Sequence, residues 1–106
     1  MQAIVVLTTL PNGNRARGFA RALVGEKLAA CVNIVPGLRS VYRWKGAVHD
    51  DREVLCVVKT SRAKLKKLKQ RLKSLHPYEV PELIALPITD GSEPYLRWLA
   101  ASVASR

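Results

Sequence analysis

The chain has little cysteine and no long apolar run. Two cysteines in 106 residues are too few for a disulfide-stapled secreted domain. No apolar stretch approaches the ~18 residues that cross a bilayer, and the first seven residues lack the basic segment that opens a signal peptide. We therefore expect a cytoplasmic protein that makes no membrane contact and keeps Cys31 and Cys56 reduced.

Acidic residues are also scarce. Eight Asp and Glu against eighteen Lys and Arg give a net charge of +10, and seven of the bases fall between Arg62 and Lys73. This balance favours anionic partners over free cations at long range. A unit charge about 10 Å away in water contributes only ~0.4 kcal/mol, however, so a good local metal site would overcome the effect.

Enzyme motifs are missing as well. The sequence has no paired nucleophile and base, no glycine-rich phosphate loop and no cofactor signature. An enzyme would have to use His76 as a general base, with Glu79 as its orienting partner. We therefore expect a protein that is not an enzyme and that has no obligatory cofactor.

Apolar periodicity predicts a single domain, residues 1–106, of alternating strands and helices. The predicted elements are a strand at 3–9, a helix at 15–30 capped by Asn14, a strand at 31–45 broken or bulged at Pro36–Gly37, a strand at 53–60, a helix capped by Ser61, a strand at 82–88 and a short helix after Ser92. Between the second and third strands the chain turns back either at Lys45–Gly46 or at Asp50–Asp51.

The order β-α-β-β-α-β matches the ferredoxin-like α+β arrangement, in which two helices cover one face of a four-stranded sheet. The predicted strands are almost continuously apolar, so the second sheet face also needs cover. In so short a chain another copy of itself is the economical cover, and we expect a homo-oligomer. With either turn, Cys31 faces position 60 or 70 and not Cys56, which argues against a disulfide.

Residues 76–82, which we call the strap, carry three functional groups between two prolines. A residue that precedes proline is pushed out of the helical region, so His76 and Val80 are expected to be extended. The strap would then hold the His76 imidazole, the Tyr78 phenol and the Glu79 carboxylate in fixed relative positions. It is either a functional segment of this kind or a rigid loop that leads into the next strand.

Five motifs in the same order strongly resemble the CutA family of divalent-cation tolerance proteins. They are Leu28-Ala29-Ala30-Cys31-Val32-Asn33-Ile34, Tyr42-Arg43-Trp44-Lys45-Gly46, Glu53 with Lys59-Thr60, His76-Pro77-Tyr78-Glu79-Val80-Pro81-Glu82, and Tyr95-Leu96-Arg97-Trp98-Leu99. The similarity runs from about residue 4 to about residue 103, nearly the whole chain.

The resemblance implies a ferredoxin-like subunit in a tight trimer, similar in architecture to the PII signalling proteins, and a link to tolerance of copper and other divalent metals. The positions that match the family pattern around an intersubunit cleft are Cys31, Trp44, Glu53, Lys59, His76, Tyr78, Glu79 and Trp98. Some members also carry a Cys on the first strand and a second His before the His-Pro pair. Here those positions are Thr8 and Leu75, which removes two ligands from a copper site copied from those members.

Among these residues His76 is the first candidate metal ligand and Cys31 a weaker one, because a thiolate with an imidazole suits Cu(I) or Zn(II). Glu79 lies roughly 10 Å from His76 along an extended chain, so the two would not easily bind one ion within one strap. A shared ion would need groups from another strand or another subunit.

Asp50, Asp51 and Glu53, next to His49, form the one acidic cluster of the sequence. Such a cluster either collects divalent cations weakly or is a solvated hairpin tip. Because Asp50 and Asp51 are adjacent, a regular strand would point them to opposite faces.

The hypothesis from the sequence is a trimeric metal-binding or regulatory module in metal-ion (copper) homeostasis. The alternative is a PII-like trimeric sensor of a small anionic metabolite between subunits, with aromatic walls and the charge of Lys59. Nucleic-acid association through the basic segment 62–73 ranks third. No aromatic residue is interleaved with that segment, and its leucines belong to the core, so we expect a solvated outer face there.

Overall fold

The structure, a computed structural model, describes residues 1–104. Its elements are β1 (Ala3–Leu10), α1 (Gly13–Gly25), β2 (Cys31–Trp44), β3 (Ala47–Ser61), a 3-10 turn (Arg62–Lys64), α2 (Leu65–Leu75), β4 (Ile84–Pro87) and α3 (Glu93–Ser102). The strands form one sheet in the order β2-β3-β1-β4, and every neighbouring pair is antiparallel. This is the ferredoxin-like α+β fold that the sequence predicted.

Helices α1 and α2 cover one face of the sheet. Alternate residues of β1 and β3 point to that face, because successive side chains of a strand alternate. The buried cross-strand pairs are Ile4 with Thr60, Val6 with Val58, Thr8 with Cys56 and Leu10 with Val54. Phe19 and Leu23 of α1 and Leu68 and Leu72 of α2 pack against them. Each fully buried side chain of this size contributes roughly 1.5–3 kcal/mol, which anchors both helices to the sheet.

The β2–β3 hairpin turns at Lys45–Gly46 and not at Asp50–Asp51, which lies inside β3. Lys45 and Gly46 have φ angles of +50° and +80°. A two-residue turn with positive φ at both positions matches the right-handed twist of the flanking strands. The turn therefore fixes the register of both strands.

At Pro36–Gly37, where the sequence predicted a break or a bulge, the strand has a bulge. Val35 pairs with Leu55, and the next pair is Leu38 with Glu53, so two residues of β2 oppose one of β3. Gly37 has a φ of +78°, which a glycine adopts without steric cost. Such a bulge bends the strand and increases its local twist.

Helix α1 begins two residues earlier than predicted. Its N-cap is Asn12, whose side-chain oxygen accepts a hydrogen bond from the Arg15 backbone N–H at 2.9 Å. This bond satisfies one of the N–H groups that lack partners at a helix start. Asn14, the predicted cap, lies inside the first turn and accepts a hydrogen bond from the Arg17 guanidinium instead.

Helix α1 also ends at Gly25 and not at Ala30. The Leu28 N–H donates to the Leu23 carbonyl, and the Lys27 N–H donates to a carbonyl one residue further along. Lys27 has a φ of +60°, so the chain leaves the helix through a Schellman motif. The exit lets Leu28 pack into the core, where it is buried with Leu23.

Strand β3 extends through Ser61, so the predicted cap of α2 is wrong. Ser61 pairs with Ala3 of β1, and its side chain makes no capping hydrogen bond. The 3-10 turn then leads into α2 at Leu65. Strand β4 spans four residues and not the predicted 82–88, because its pairing with β1 begins only at Ile84.

The second sheet face, which we call the open face, is only partly covered. Helix α3 packs at one end of it, in a small second cluster of Ala3, Ala30, Leu99 and Val103. Away from α3, the side chains of Val35, Ile84 and Leu86 are between 42% and 50% exposed. The burial of β1 on both faces that the sequence predicted is therefore incomplete, since Val5 and Leu7 on its open face are only half-buried, whereas Ala3 and Thr9 are buried.

The outer part of the β2–β3 hairpin, residues 38–53, projects past the sheet, and we call it the arm. The last pair between β1 and β3 is Leu10 with Val54, so the arm consists of two strands alone. A two-stranded ribbon is marginally stable in water. Val41 and Val48 of the arm are 67% and 65% exposed, so the arm carries apolar surface without cover from this chain.

Both cysteines are free thiols, as the register argument predicted. Cys31 pairs with Lys59 across β2 and β3, whereas Cys56 pairs with Ile34 and faces the core. Burial raises the pKa of the Cys56 thiol to about 11, so this thiol stays protonated. Within residues 1–104, no helix combines the length and apolar character that crossing a bilayer requires.

Candidate functional site

The His76 side chain attaches the strap to the sheet. Its backbone is extended (φ −84°, ψ 136°), as predicted, and the residue is only 8% exposed. Its Nε2 lies 2.6 Å from the Thr9 carbonyl oxygen. Because a carbonyl can only accept, Nε2 carries the proton, and Nδ1 accepts the Tyr78 backbone N–H at 3.1 Å. Both ring nitrogens are engaged, so the folded imidazole offers no lone pair to a metal ion.

The Thr9 carbonyl needs this partner because β4 is short. The last pair between β4 and β1 is Ile84 with Leu7, so within residues 1–104 no strand pairs with Thr9 on the side away from β3. A buried carbonyl without a hydrogen bond costs about 1–3 kcal/mol. The His76 ring supplies the donor that a longer β4 would have supplied.

A cleft of about 1030 Å³ lies between the strap and the arm. Four carboxylates line it, those of Asp51, Glu53, Glu79 and Glu82. The chain has eight acidic residues in all, so half of them face one cleft of a strongly basic protein. Arg52 is the one basic residue among the described residues that line the cleft.

Hydrogen bonds orient two of these carboxylates. The Tyr78 hydroxyl donates to Glu53 Oε2 at 2.7 Å, which connects the strap to the arm. The Tyr42 hydroxyl donates to Asp51 Oδ2 at 2.5 Å, within the arm. Each bond leaves the second carboxylate oxygen of its acceptor available for a ligand, since neither of these two phenols reaches it.

The cleft favours protonated or cationic groups. Burial, and then the hydrogen bond to Glu53, raises the pKa of Tyr78. The hydrogen bond to Asp51 raises the pKa of Tyr42. Partial burial, and then the charge of Glu53, raises the pKa of Glu82. All three shifts favour the form with less negative charge, and a bound cation would offset the same excess of negative charge.

Four of the six residues predicted to form a ligand cleft line this one, namely Trp44, Glu53, Tyr78 and Glu79. The other two lie elsewhere in the chain. Lys59 is on the open face, where its ammonium donates to the Asn33 side-chain oxygen. Trp98 is on α3, with its ring centroid 5.3 Å from that of Tyr95.

Cys31 and His76, the two candidate ligands for a soft metal, lie at opposite ends of the sheet. Cys31 pairs with Lys59, which in turn pairs with Val5 of β1. His76 instead contacts Thr9, four residues further along that strand, a distance of roughly 13 Å at the usual rise of a strand. One ion cannot bind both side chains within a single chain.

The acidic cluster at residues 50–53 divides between two faces, as its alternation predicted. Asp51 and Glu53 line the cleft, whereas Asp50 pairs with Arg39 at 2.8 Å. His49 does not line the cleft, and its ring stacks on Tyr42 with centroids 5.3 Å apart. The cluster lies in β3 beyond the turn, so it is not the hairpin tip.

Tyr42 and Glu82 line the cleft, although neither was predicted as a site residue. Tyr42 could have been found from the turn. With Lys45–Gly46 as the turn, Tyr42 and Trp44 share one face of β2, and the register brings Asp51 to the same face. Glu82 carried no such signal, because its place depends on the path of the strap.

The donor chemistry of the cleft fits hard divalent ions better than copper, because carboxylate oxygens suit Mg²⁺, Ca²⁺ and Mn²⁺. Within residues 1–104, no group of three or more His, Cys, Asp or Glu side chains is close enough as folded to hold a metal ion. Thr8 and Leu75, the positions where the resemblance suggested further ligands, pack in or against the core and do not line the cleft.

Known proteins match this chain over nearly all of its length. The family described as CutA1 divalent ion tolerance protein matches residues 4–102. The divalent-cation tolerance protein CutA of Thermus thermophilus is 59% identical over 95 residues, which cover 90% of this chain and 92% of that protein. The crystal structure of CutA1 from Oryza sativa has a TM-score of 0.96 at 46% identity, and the match covers 100% of this chain and 97% of that chain.

Some relatives are longer. Protein CutA, chloroplastic, of Arabidopsis thaliana is 51% identical over 94% of this chain, and the match spans 55% of that protein.

Proposed function

Because the chain belongs to the CutA1 divalent ion tolerance family, we propose that it contributes to tolerance of divalent cations by binding them in the cleft between the strap and the arm. It acts as a binding or regulatory module, without turnover and without an obligatory cofactor. Its proposed location is the cytoplasm, which agrees with its two free thiols.

The observation that carries this proposal is the concentration of carboxylates. Asp51, Glu53, Glu79 and Glu82 line one cleft, where partial burial, and then the charge of Glu53, raises the pKa of Glu82. Since no three of these groups are placed for coordination as folded, binding requires side-chain movement and is weak. We expect dissociation constants of about 10⁻⁴–10⁻³ M, as in calcium sites of low affinity.

Copper homeostasis, the specific role suggested by the resemblance, has less support from this geometry. The thiol of Cys31 and the imidazole of His76 are too far apart to share an ion in one chain. Copper bound by either group would need ligands from a second subunit, and at His76 it would need the hydrogen bond from the Tyr78 N–H to Nδ1 to break, because that bond occupies the one lone pair of the ring.

A homotrimer is the proposed assembly. The threefold number comes from the resemblance, whereas the need for a partner copy is supported by the exposed apolar side chains of the open face and by the two-stranded arm. A second copy that covers these surfaces would remove apolar area from water at about 25 cal/mol per Å².

The alternative of an anion sensor depends on Lys59. That ammonium is hydrogen-bonded to Asn33 on the open face and does not line the cleft, whose carboxylates would repel an anion. Binding of an anionic metabolite would therefore need a different pocket, formed where subunits meet.

Manganese titration tests the proposal, because the electron paramagnetic resonance signal of free Mn²⁺ counts the unbound ion. The double variant Asp51→Asn/Glu82→Gln should weaken Mn²⁺ binding tenfold or more. Its matched control is Asp50→Asn/Glu93→Gln, which removes the same two charges outside the cleft and should change the affinity by less than about twofold. Equal weakening in both variants would show that only net charge matters and would contradict a site in the cleft.

The pH dependence of the same titration has a defined sign. Protonation of carboxylates removes ligands, so Mn²⁺ affinity falls as pH falls. Because the pKa of Glu82 is raised, this fall begins at a higher pH than for an ordinary glutamate. In Glu82→Gln the affinity should be lower at neutral pH, and its decline should begin at a lower pH than in the wild type. An unchanged profile would exclude Glu82 from the site.

A further inference from the structure

The whole net charge of the chain is concentrated in its two covering helices and their flanks, residues 13–27 and 62–75, which we call the helical layer. Eleven of the eighteen basic residues and one of the eight acidic residues belong to it, which leaves seven of each sign in the rest of the sequence. The layer therefore has a charge of +10 and lies on one side of the sheet, whereas the positive and negative charges in the rest of the sequence cancel.

The basic side chains of this layer point away from the core. The buried residues of α1 and α2 are apolar and face the sheet. The bases that are exposed to solvent are Arg15, Arg17, Arg21, Lys27, Arg62, Lys66, Lys67, Lys69 and Lys73. Glu26, the one acid of the layer, is paired with Arg71 at 2.9 Å, so it neutralises a single base.

The chemistry of the surface indicates what it would bind. Single-stranded nucleic acids bind to aromatic stacking platforms, and the one aromatic residue of the layer, Phe19, is buried. Helices that lie on membranes insert an apolar face, but the leucines of α2 pack in or against the core and Val24 is the one large exposed hydrophobic residue of the described layer. A surface rich in Lys and Arg but without such groups suits the phosphate backbone of a duplex.

We infer that the helical layer is a docking surface for double-stranded nucleic acid, which it holds through phosphate contacts without reading sequence. The sequence alone suggested a solvated face for segment 62–73, because no aromatic residue is interleaved with it and its leucines belong to the core. The structure places the bases of α1 and α2 on the same side of the sheet, with one acid among them. The inference is independent of the proposed cation site, and a partner copy on the open face would leave the helical layer accessible.

The test measures binding of short labelled DNA duplexes of two unrelated sequences by fluorescence anisotropy, at several salt concentrations. We expect equal affinity for both sequences, in the range of about 10⁻⁶–10⁻⁴ M at physiological salt. The triple variant Lys66→Gln/Lys69→Gln/Lys73→Gln should bind roughly tenfold or more weakly, and its salt slope should be smaller by about three, one unit for each lost phosphate contact. Glutamine is a good helix former, so α2 should remain folded.

The matched control is Arg39→Gln/Arg43→Gln/Arg97→Gln, which removes three charges outside the helical layer. It should keep the wild-type affinity within about twofold, although its net charge equals that of the lysine variant. Should the lysine variant fail to fold by circular dichroism, Arg15→Gln/Arg21→Gln/Lys27→Gln on the α1 side replaces it with the same expected result.

Four results would overturn the inference: no duplex binding at physiological salt, equal weakening in the variant and its control, a tenfold preference for one sequence, or binding to phosphatidylserine vesicles in place of the duplex. The last result would assign the surface to an anionic membrane.

Discussion

The Tyr78 hydroxyl connects the strap to the arm, as does the ion pair between Lys45 and Glu79 at 3.6 Å. It donates to Glu53 across the cleft, while the Tyr78 backbone N–H donates to His76. One residue thus joins the sheet edge, the strap and the arm. The proline on either side limits how far the strap can move, so the hydrogen bond is made at a small entropic cost.

We predict that Tyr78→Phe lowers the free energy of unfolding by about 1 kcal/mol, because Glu53 loses a hydrogen-bond donor. Tyr95→Phe is the matched control. Tyr95 is 42% exposed, and its ring contacts that of Trp98. Loss of the Tyr95 hydroxyl should therefore lower the free energy of unfolding by less than about 0.5 kcal/mol. Denaturant unfolding of both variants measures the difference, and equal costs would contradict the role assigned to the Tyr78 hydroxyl.

His76→Ala should lower the free energy of unfolding by about 2 kcal/mol, because the Thr9 carbonyl loses its donor. His49→Ala, which removes the other histidine from an arm position, should cost less. Copper binding per subunit, measured by native mass spectrometry, should be the same in His76→Ala as in the wild type. Loss of a stoichiometric copper ion in His76→Ala would instead support the ligand role that the sequence suggested.

At the scale of single residues, the sequence predicted conformation better than contacts. The extended backbone of His76 follows from the proline after it, a local effect. Its hydrogen bond to Thr9 depends on where β4 ends, which no local pattern records. Glu82 was missed because its place in the cleft depends on the path of the strap, which no local pattern records either. The opposite faces of Asp50 and Asp51 follow from strand alternation alone, and they were predicted correctly.

At the scale of elements, the end of α1 shows how a local motif determines the direction in which the chain leaves a helix. The Schellman motif turns the chain so that Leu28 is buried and β2 can begin at Cys31. Lys27 adopts a φ of +60° in this motif, which a residue with a side chain reaches only with strain.

Lys27→Gly should therefore raise the free energy of unfolding by about 0.5–1 kcal/mol, since glycine adopts positive φ without steric cost. Lys69→Gly is the matched control, because it removes the same exposed side chain from the interior of α2 and should lower stability by about 1 kcal/mol. Thermal unfolding of both variants gives the two signs, and a destabilised Lys27→Gly would contradict the assigned motif.

The sequence predicted the type and order of every strand and α-helix, but it missed the 3-10 turn and the ends of several elements. Ser61 pairs with Ala3 as the last residue of β3, and a 3-10 turn separates it from α2, so its hydroxyl is not at the position that caps α2. A break or bulge in β2 was predicted because proline and glycine mark it locally. Ends that are set by a neighbouring strand were not predictable, as the short β4 also shows.

At the scale of the whole molecule, charge and apolar surface are separated. The helical layer carries the excess of positive charge, the cleft holds half of the carboxylates, and the open face and arm expose apolar side chains. These surfaces fit three different partners, respectively a polyanion, a cation and a second copy of the chain.

Leu86→Glu should dissociate the proposed trimer, because it places a charge on the apolar open face. Val24→Glu on α1 is the matched control, since Val24 is 45% exposed and Leu86 is 46% exposed. Light scattering after size-exclusion chromatography should show a smaller mass for Leu86→Glu alone. A trimer that survives this substitution, or a wild-type protein that is monomeric, would contradict the proposed interface.

The most direct test of the cation site is paramagnetic broadening of backbone amide signals by Mn²⁺ in a nuclear magnetic resonance titration. The ion broadens signals from nearby nuclei, so it reports position as well as binding. The account predicts that residues 51–53 and 78–82 broaden first, while the helical layer keeps sharp signals. Broadening centred on Cys31 or on Asp90 and Glu93, or no localised broadening at millimolar Mn²⁺, would contradict a divalent-cation site in the cleft.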